Sequence, residues 1–240
     1  MITLYGRKPV LEILLDPEAS IFRLHLAESN QRGDTITQIR MLAQERDIDI
    51  ITHPKEALSR ISKNARQDQG VAIDIAPPKY QSVEQLSDNA GQLLALDGIT
   101  NPQNLGMIVR SVAASPMNGL LLPKKGCAKI DPLVHKASAG TLIKSSIYHC
   151  PTIESGLKSL RSKGYQLIGL SGGVDRSLGD IGNANEKIVF VLGNETTGIS
   201  EPVLALCDEL ACIPLESGVE SINVAMAATL VAFRTTFNGT

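Results

Sequence analysis

Apolar positions in the chain fall into two successive alternations of strand-like and helix-like spacing. In the first, TLYGRKPVLEILL from Thr3 to Leu15 reads as a turn followed by a short amphipathic helix from about Pro9, because proline suits the first helical turn. Ile21 to Leu26 alternates like a strand. Ile36, Ile39, Met41, Leu42 and Ala43 give Thr35 to Arg46 a helical period, and Ile48 to Ile51 reads as a second strand. Pro54 to Ile61 predicts a further helix and Val71 to Ile75 a strand. Two prolines in Ala76-Pro77-Pro78-Lys79-Tyr80-Gln81 then break the pattern and mark a linker.

The second alternation starts at Leu93. Strands are expected at Leu93 to Leu96, Gly119 to Leu122, Ile147 to Cys150, Gln166 to Leu170, Lys187 to Leu192 and Glu209 to Ile213, with helices in most of the intervals. Strand and helix alternating at this spacing predict an α/β fold with a mainly parallel sheet covered on both faces. A final helix from about Ser221 to Phe237 is apolar almost all round, so it belongs in a core or against another subunit. Its small residues suit close packing, and a homodimer is expected.

Three segments repeat one arrangement of strand, polar loop and helix. They are LDGITNPQNLGMIVRSVAAS from Leu96 to Ser115, VFVLGNETTGIS from Val189 to Ser200, and IPLESGVESINVAMAATLVAFR from Ile213 to Arg234. Open α/β sheets place their ligands beyond the carboxyl ends of strands, so the edges of the second and third of these segments, side by side, predict a pocket. GLSGG from Gly169 to Gly173 also follows an apolar strand, which raises a Rossmann-type nucleotide enzyme as a competing reading. It lacks the Gly-x-Gly-x-x-Gly spacing, and no phosphate-loop motif occurs.

Composition limits what the pocket can serve. At 240 residues and 43 % apolar content the chain is long enough for a substantial core in one or two domains. There is no run of about eighteen apolar residues, and Arg7, Lys8, Glu12 and Asp16 come too early for a secretory signal; a cytoplasmic protein is expected. Cys127, Cys150, Cys207 and Cys212 show no Cys-x-x-Cys spacing, so they read as reduced packing residues, with no metal and no disulfide framework. A net charge of -2 is unlike a protein that grips nucleic acid mainly through phosphates. Any RNA binding has to rest on local basic patches or on one face of an oligomer.

NPQNLGMIVR, VLGNETTGIS and IPLESGVESINVAMA together resemble the three signature motifs of the SpoU (TrmH-type) family of the SPOUT superfamily, RNA 2'-O-ribose methyltransferases. YGRKPVLEIL and DQGVAIDI resemble the small amino-terminal RNA-binding domain of its ribosomal RNA branch, so the likeness spans the whole chain. It implies an RNA substrate-binding domain over residues 1–76, a linker and first helix over 77–91, and a methyltransferase domain over 92–240 with a carboxyl-terminal trefoil knot. It also implies S-adenosylmethionine as methyl donor and structured RNA as substrate, with 23S ribosomal RNA favoured. Transfer RNA as substrate, or a catalytically silent RNA-binding protein of the same fold, are the alternatives.

By the same resemblance, Arg110 faces the target ribose and phosphate, Glu195 orients the arginine and the substrate, and Asn104 and Asn223 complete the catalytic set. A ribose hydroxyl is a poor nucleophile near neutral pH. Arginine stays protonated, so Arg110 suits electrostatic stabilisation and positioning, and the group that removes the hydroxyl proton is left open. The plain alternatives are a helix-surface salt bridge for Arg110, a solvated loop carboxylate for Glu195, and a helix cap for Asn223 or Ser221. Gly193, Ile213 and Ile222 match cofactor-holding positions; Leu192, Leu215 and Thr141 are further candidates for the pocket wall. Asn101-Pro102 stands where relatives often have Asp-Pro, and Pro116 predicts an early end to the motif-one helix.

Arg7, Arg60, Lys63, Arg66 and Lys136 are the candidate RNA contacts. Lys124, Lys125, Lys129, His135 and Lys144 form a second basic stretch. With four Tyr, four Phe and no Trp, stacking on aromatics cannot be extensive, and ribose, phosphate and shape contacts must carry most of the recognition.

Overall fold

The computed structural model describes residues 1–30, 33–77, 80–87, 91–182 and 186–236. Contacts divide the chain into two units, Met1–Lys79 with Ile130–Ile143, and Tyr80–Lys129 with Lys144–Thr240.

The smaller unit contains β1 (Ile2–Tyr5), α1 (Arg7–Leu15), β2 (Ile21–Ala27), α2 (Asp34–Glu45), β3 (Ile50–His53), α3 (Lys55–Ser62) and β4 (Val71–Ile75). The strand order is β1-β4-β2-β3, with β2 and β3 parallel and the β4 pairings antiparallel. Alternation sorts β2 into two faces: Leu24 and Leu26 join Leu4 and Ile73 in a core with Val10, Ile13 and Leu14 of α1 and Ile36, Ile39 and Ala43 of α2. On the opposite side His25 is bonded at both ring nitrogens, to His53 at 2.9 Å and to Asp74 at 3.1 Å, and Asp74 also accepts from the Thr3 hydroxyl at 2.6 Å. The carboxyl end of α1 is closed by Arg46, whose guanidinium donates to the carbonyls of Ile13, Leu14, Asp16 and Ala19. That satisfies acceptors a helix end otherwise leaves orphaned.

Two differences from the sequence reading lie here. Ile2–Tyr5 is a strand and not a turn, because it pairs with β4 some seventy residues away. The segment 130–143, expected in the larger domain, belongs to this unit. Within it, α5 (Pro132–Ala137) is capped by Asp131, which accepts from the amides of Leu133 and Val134, and lies against β1.

The larger unit holds a seven-stranded, fully parallel sheet: β5 (Gln81–Ser82), β6 (Leu93–Leu96), β7 (Gly119–Pro123), β8 (Ile147–Cys150), β9 (Gln166–Leu170), β10 (Ile188–Leu192) and β11 (Glu209–Ala211), in the order β11-β9-β10-β6-β7-β8-β5. Its helices are α4 (Pro102–Ala113), α6 (Ile153–Ser162), α7 (Glu201–Leu204) and α8 (Val224–Phe233). Leu93, Ala95, Val189 and Val191 face Leu157 and Leu160 of α6. α4 and α8 pack beside each other on β7 and β10, joined by a 2.7 Å hydrogen bond between Ser111 and Thr229.

The six predicted strands are all present, within two residues at each end. The two-residue edge strand β5 lay in the expected linker, and the described part of that stretch forms a 3-10 turn over Val83–Gln85 in place of a helix; Pro78, Lys79 and 88–90 fall outside the described residues. α4 ends at Ala113, as Pro116 predicted. α8 starts at Val224, later than expected, and the expected end at Phe237 lies outside the described residues. Among the described residues, no helix is long and apolar enough to cross a membrane.

Candidate active site

Strand order in the larger sheet reverses beside β6, where β10 and β9 insert after the chain has already run outward through β7 and β8. Loops leaving the carboxyl ends of β6, β9, β10 and β11 therefore gather at one place, the switch point where such sheets bind ligands.

α4 begins there because Asn101 caps it, its side chain accepting from the amides of Gln103 at 2.8 Å and Asn104 at 3.4 Å, with Pro102 in the first turn. Asparagine thus does the capping that aspartate would do at this position. The cap sets Asn104, 7 % exposed, at the mouth of the switch point. Its amide nitrogen donates to the Glu195 carboxylate, and its oxygen accepts from the Asn223 amide at 3.2 Å. Asn223 in turn caps α8, its oxygen accepting from the Ala225 amide at 2.8 Å. Asn223 is therefore the cap of α8 and Ser221 is not, and the same side chain reaches Asn104 with its other end.

The three side chains form a directional chain. A carboxylate only accepts and a backbone amide only donates, so Glu195 at one end and Ala225 at the other fix the orientation of both asparagine amides between them. Neither asparagine can flip without setting two donors or two acceptors face to face.

Beside this chain lies a cleft of about 540 Å³. Its walls include Leu192, Gly193, Ile213, Leu215 and Ile222, together with Glu195. Gly193 is sterically required: a β-carbon there would sit 2.1 Å from the Gly198 carbonyl carbon and 2.2 Å from the Ile199 nitrogen. Residues 170–173 and 212, with Val219 and Glu220, also line the cleft and were missed as wall residues. The Gly-rich run after β9 was the available signal; it builds the same cleft and not a separate nucleotide loop. Thr141 lies in the segment 130–143 and does not line the cleft.

Arg110 is not brought to the chain of amides within one copy. Six residues along α4 place it about 9 Å from Asn104 along the axis and about 120° around it, on the face where Met107 is also exposed. Its guanidinium makes no hydrogen bond or ion pair among the described residues. Met226 and Leu230 of α8 are likewise exposed, at 64 % and 48 %. This helix is therefore not wholly buried in the core.

The basic candidates of the smaller unit converge on the loop after α3. Arg60 in the last turn of α3 and Lys63 and Arg66 in the loop itself are exposed. The Lys136 ammonium donates to Gln67 at 2.8 Å, and the Arg7 backbone amide donates to Gln69 at 2.8 Å. Asp68 shapes the loop by accepting from Ser62 and from the Gly70 amide. The Arg7 guanidinium is itself engaged with Asn30 at 2.9 Å. His135, read as part of a basic surface, is 2 % exposed, and burial pushes its pKa down to about 4, so it is neutral and presents no surface charge. All four cysteines are free, and burial raises the thiol pKa of Cys127, Cys150 and Cys207, as suits packing residues.

Comparison with known proteins places these features in a family. Residues 91–233 match the model of the SpoU rRNA Methylase family, and residues 3–81 match the model described as RNA 2'-O ribose methyltransferase substrate binding. A protein of Mycobacterium ulcerans (strain Agy99) named an uncharacterized tRNA/rRNA methyltransferase is 32 % identical over 234 residues, 95 % of this chain and 74 % of its own length. Another of that name from Mycobacterium sp. (strain KMS) is 33 % identical over 232 residues, 94 % of this chain and 73 % of its own. Among solved structures, the SpoU methyltransferase AviRb of Streptomyces viridochromogenes in complex with AdoMet superposes with a TM-score of 0.82 at 21 % identity, over 99 % of this chain and 91 % of that one. An AdoMet-bound rRNA methyltransferase of Sinorhizobium meliloti gives 0.79 at 21 % identity, over 98 % and 86 %. The motifs at the switch point, the matched substrate-binding unit in front of them and the shared parallel-sheet fold lead to one conclusion: the chain belongs to the SpoU rRNA methylase family and is an RNA methyltransferase.

Proposed function

We propose that the chain methylates a ribose 2'-hydroxyl of structured RNA with S-adenosylmethionine as donor, 23S ribosomal RNA being favoured over transfer RNA. One observation carries the reading: Glu195 lines the cleft and at the same time accepts from Asn104, so the cofactor-sized cavity and the motif side chains share a wall. The residues present fit the cofactor. Leu192, Ile213, Leu215 and Ile222 offer apolar cover for a flat base, backbone groups beside Gly193 can read its edge, and the Glu195 and Glu220 carboxylates are compatible with a sulfonium charge. Bound there, S-adenosylmethionine supplies an electrophilic methyl group.

The chain's own part is to position and to stabilise. The Asn104, Glu195 and Asn223 chain holds the carboxylate in one orientation at the cleft. Arg110 carries a permanent positive charge suited to a phosphate or to the ribose oxygen as its proton leaves. Exposed Arg60, Lys63 and Arg66, with Lys136 tethered to their loop, provide the local basic patch that the overall charge of -2 does not.

A homodimer belongs to the same reading. Exposed Met107, Met226 and Leu230 form an apolar face next to Arg110, and a second copy covering it would bring that arginine into an interface. The family's trefoil knot is part of the proposal too, supported by the convergence of segments 193–199 and 213–222 on one cleft. A cytoplasmic location fits the RNA substrate.

The test is transfer of labelled methyl from S-adenosylmethionine to unmodified ribosomal RNA and, separately, unmodified transfer RNA, read as alkali-resistant label. Label in one pool, lost with Arg110→Ala while the cofactor still binds, supports the reading and chooses the substrate. Cofactor binding without label in either pool favours the silent RNA-binding alternative.

A further inference from the structure

We infer that Asn194 and Asp97 are positioning residues for methyl transfer, acting as a reciprocal clamp between the loops after β6 and β10 that holds Glu195 against Asn104. The inference rests on the reading of Asn104, Glu195 and Asn223 as the reaction site.

β6 and β10 are adjacent parallel strands, with Leu96 opposite Leu192. The chain leaves them in different directions: one loop leads into α4 and Asn104, the other turns back at Gly193 and presents Glu195. Ordinary ladder bonding ends where the Asp97 amide donates to the Leu192 carbonyl at 2.8 Å. Beyond that point two side chains take over. The Asp97 carboxylate accepts from the Ser200 amide at 2.8 Å, and the Asn194 amide nitrogen donates to the Gly98 carbonyl at 2.8 Å. Each loop thus lends one side chain to the backbone of the other, so the loops are fixed at two points.

Asn194 has a second task with its other end. Its oxygen accepts from the amides of Thr196 at 2.8 Å and Thr197 at 3.3 Å, while its backbone pairs both ways with Gly198, at 3.0 and 2.9 Å. That closes the turn on which Glu195 stands. The two ends of one side chain do separable work: the oxygen builds the turn, and the nitrogen ties the finished turn to the loop that starts α4. Gly98, at φ +74°, lets its carbonyl approach, and a β-carbon there would lie 3.5 Å from that of Asn194.

The separability supplies the test. Asn194→Asp keeps the acceptor for Thr196 and Thr197 but replaces the donor to Gly98 with an oxygen that repels a carbonyl. Asp97→Ala removes the other link, and Asp97→Asn keeps an acceptor for Ser200. Loss of fixed geometry of about 1 Å is worth up to about a hundredfold in rate. We expect Asn194→Asp and Asp97→Ala each to lower kcat at least about tenfold, with KM for RNA and Kd for S-adenosylmethionine within about threefold of the parent, and Asp97→Asn to restore most of the rate. Amide exchange gives a readout independent of activity: in Asn194→Asp the Thr196 amide should stay protected while the Ser200 amide exchanges at least about tenfold faster.

A kcat unchanged in Asn194→Asp, or cofactor affinity falling in step with rate, overturns the clamp and leaves a turn residue only. So does a Ser200 amide unaffected by Asn194→Asp, since the links would then be independent. Glu195→Ala and Asn104→Ala run alongside: if neither lowers the rate, the site reading has failed, and the exchange result still decides whether the clamp exists.

Discussion

Replacing Asn104 by aspartate probes the directional chain with a change of one atom. In Asn104→Asp the nitrogen that donates to Glu195 becomes an oxygen, so two carboxylates meet at hydrogen-bonding distance. They cannot both stay ionised there, and the pair's apparent pKa rises by about 1–3 units. That equals about 1.4–4 kcal/mol of unfavourable interaction near neutral pH. Glu195 is exposed, so it can swing toward water, and screening brings the net stability cost nearer 1 kcal/mol. What the swing sacrifices is position. Near pH 7.5 we expect methyl transfer to fall by about a hundredfold. Toward about pH 5.5 one shared proton recreates an O–H donor between the groups, and the variant should recover to within about tenfold of the parent. Single-turnover transfer of labelled methyl across this pH range is the assay, with Asn104→Ala as a control that has no proton to share. Asn104→Asp working normally at high pH, or gaining no more than Asn104→Ala on acidification, would refute the argument.

Further expectations concern the cleft, the fold and the exposed face. In Gly193→Ala the new β-carbon would meet backbone at 2.1 and 2.2 Å; we expect at least about 3 kcal/mol of lost stability and loss of S-adenosylmethionine binding by calorimetry, and a variant that binds normally would mean the loop can shift. The folded pKa of His135, about 4, is depressed below the usual 6.5. Its contribution of about 3 kcal/mol is complete above pH 6.5 and is lost as pH falls toward 4, because only the unfolded chain takes the proton in that window. Urea titrations of the parent and His135→Phe should diverge over that window, and parallel pH dependences would show that His135 is not the group responsible. Leu230→Asp, at a position 48 % exposed, should change monomer stability by less than about 0.5 kcal/mol yet yield monomers by light scattering; a persistent dimer would move the interface elsewhere.

Local signals made much of the larger unit legible. Its buried strands are short apolar runs such as Ile188–Leu192, buried at every position, and Asn101-Pro102 announces the start of α4. The loops of the second and third segments were readable as one pocket because parallel strands deliver their loops to one edge, and the first segment meets them there through Asn104. β1 and β5 were not readable: four and two residues are too few to show a period, and each is a strand only through pairing with a distant partner. The assignment of 130–143 to the smaller unit has the same character, since nothing in its own spacing distinguishes the two cores.

The site divides along the same line. Sequence alone determined which residues are available: Asn104, Glu195 and Asn223 just beyond three strands, Gly193 at a turn, and a nearly uncharged final helix. Tertiary structure decided how they are used. It oriented the asparagine amides between a carboxylate that can only accept and a helix amide that can only donate. It also put the Gly-rich run after β9 into the wall of the same cleft, buried His135 away from any charged surface, and left Arg110 on an outer face of α4. Helix and strand periods are set by a few neighbouring residues, whereas hydrogen bonds such as Asn194 to Gly98 and Asn104 to Asn223 join positions 96 and 119 residues apart. Their geometry exists only after the sheet has brought its loops together.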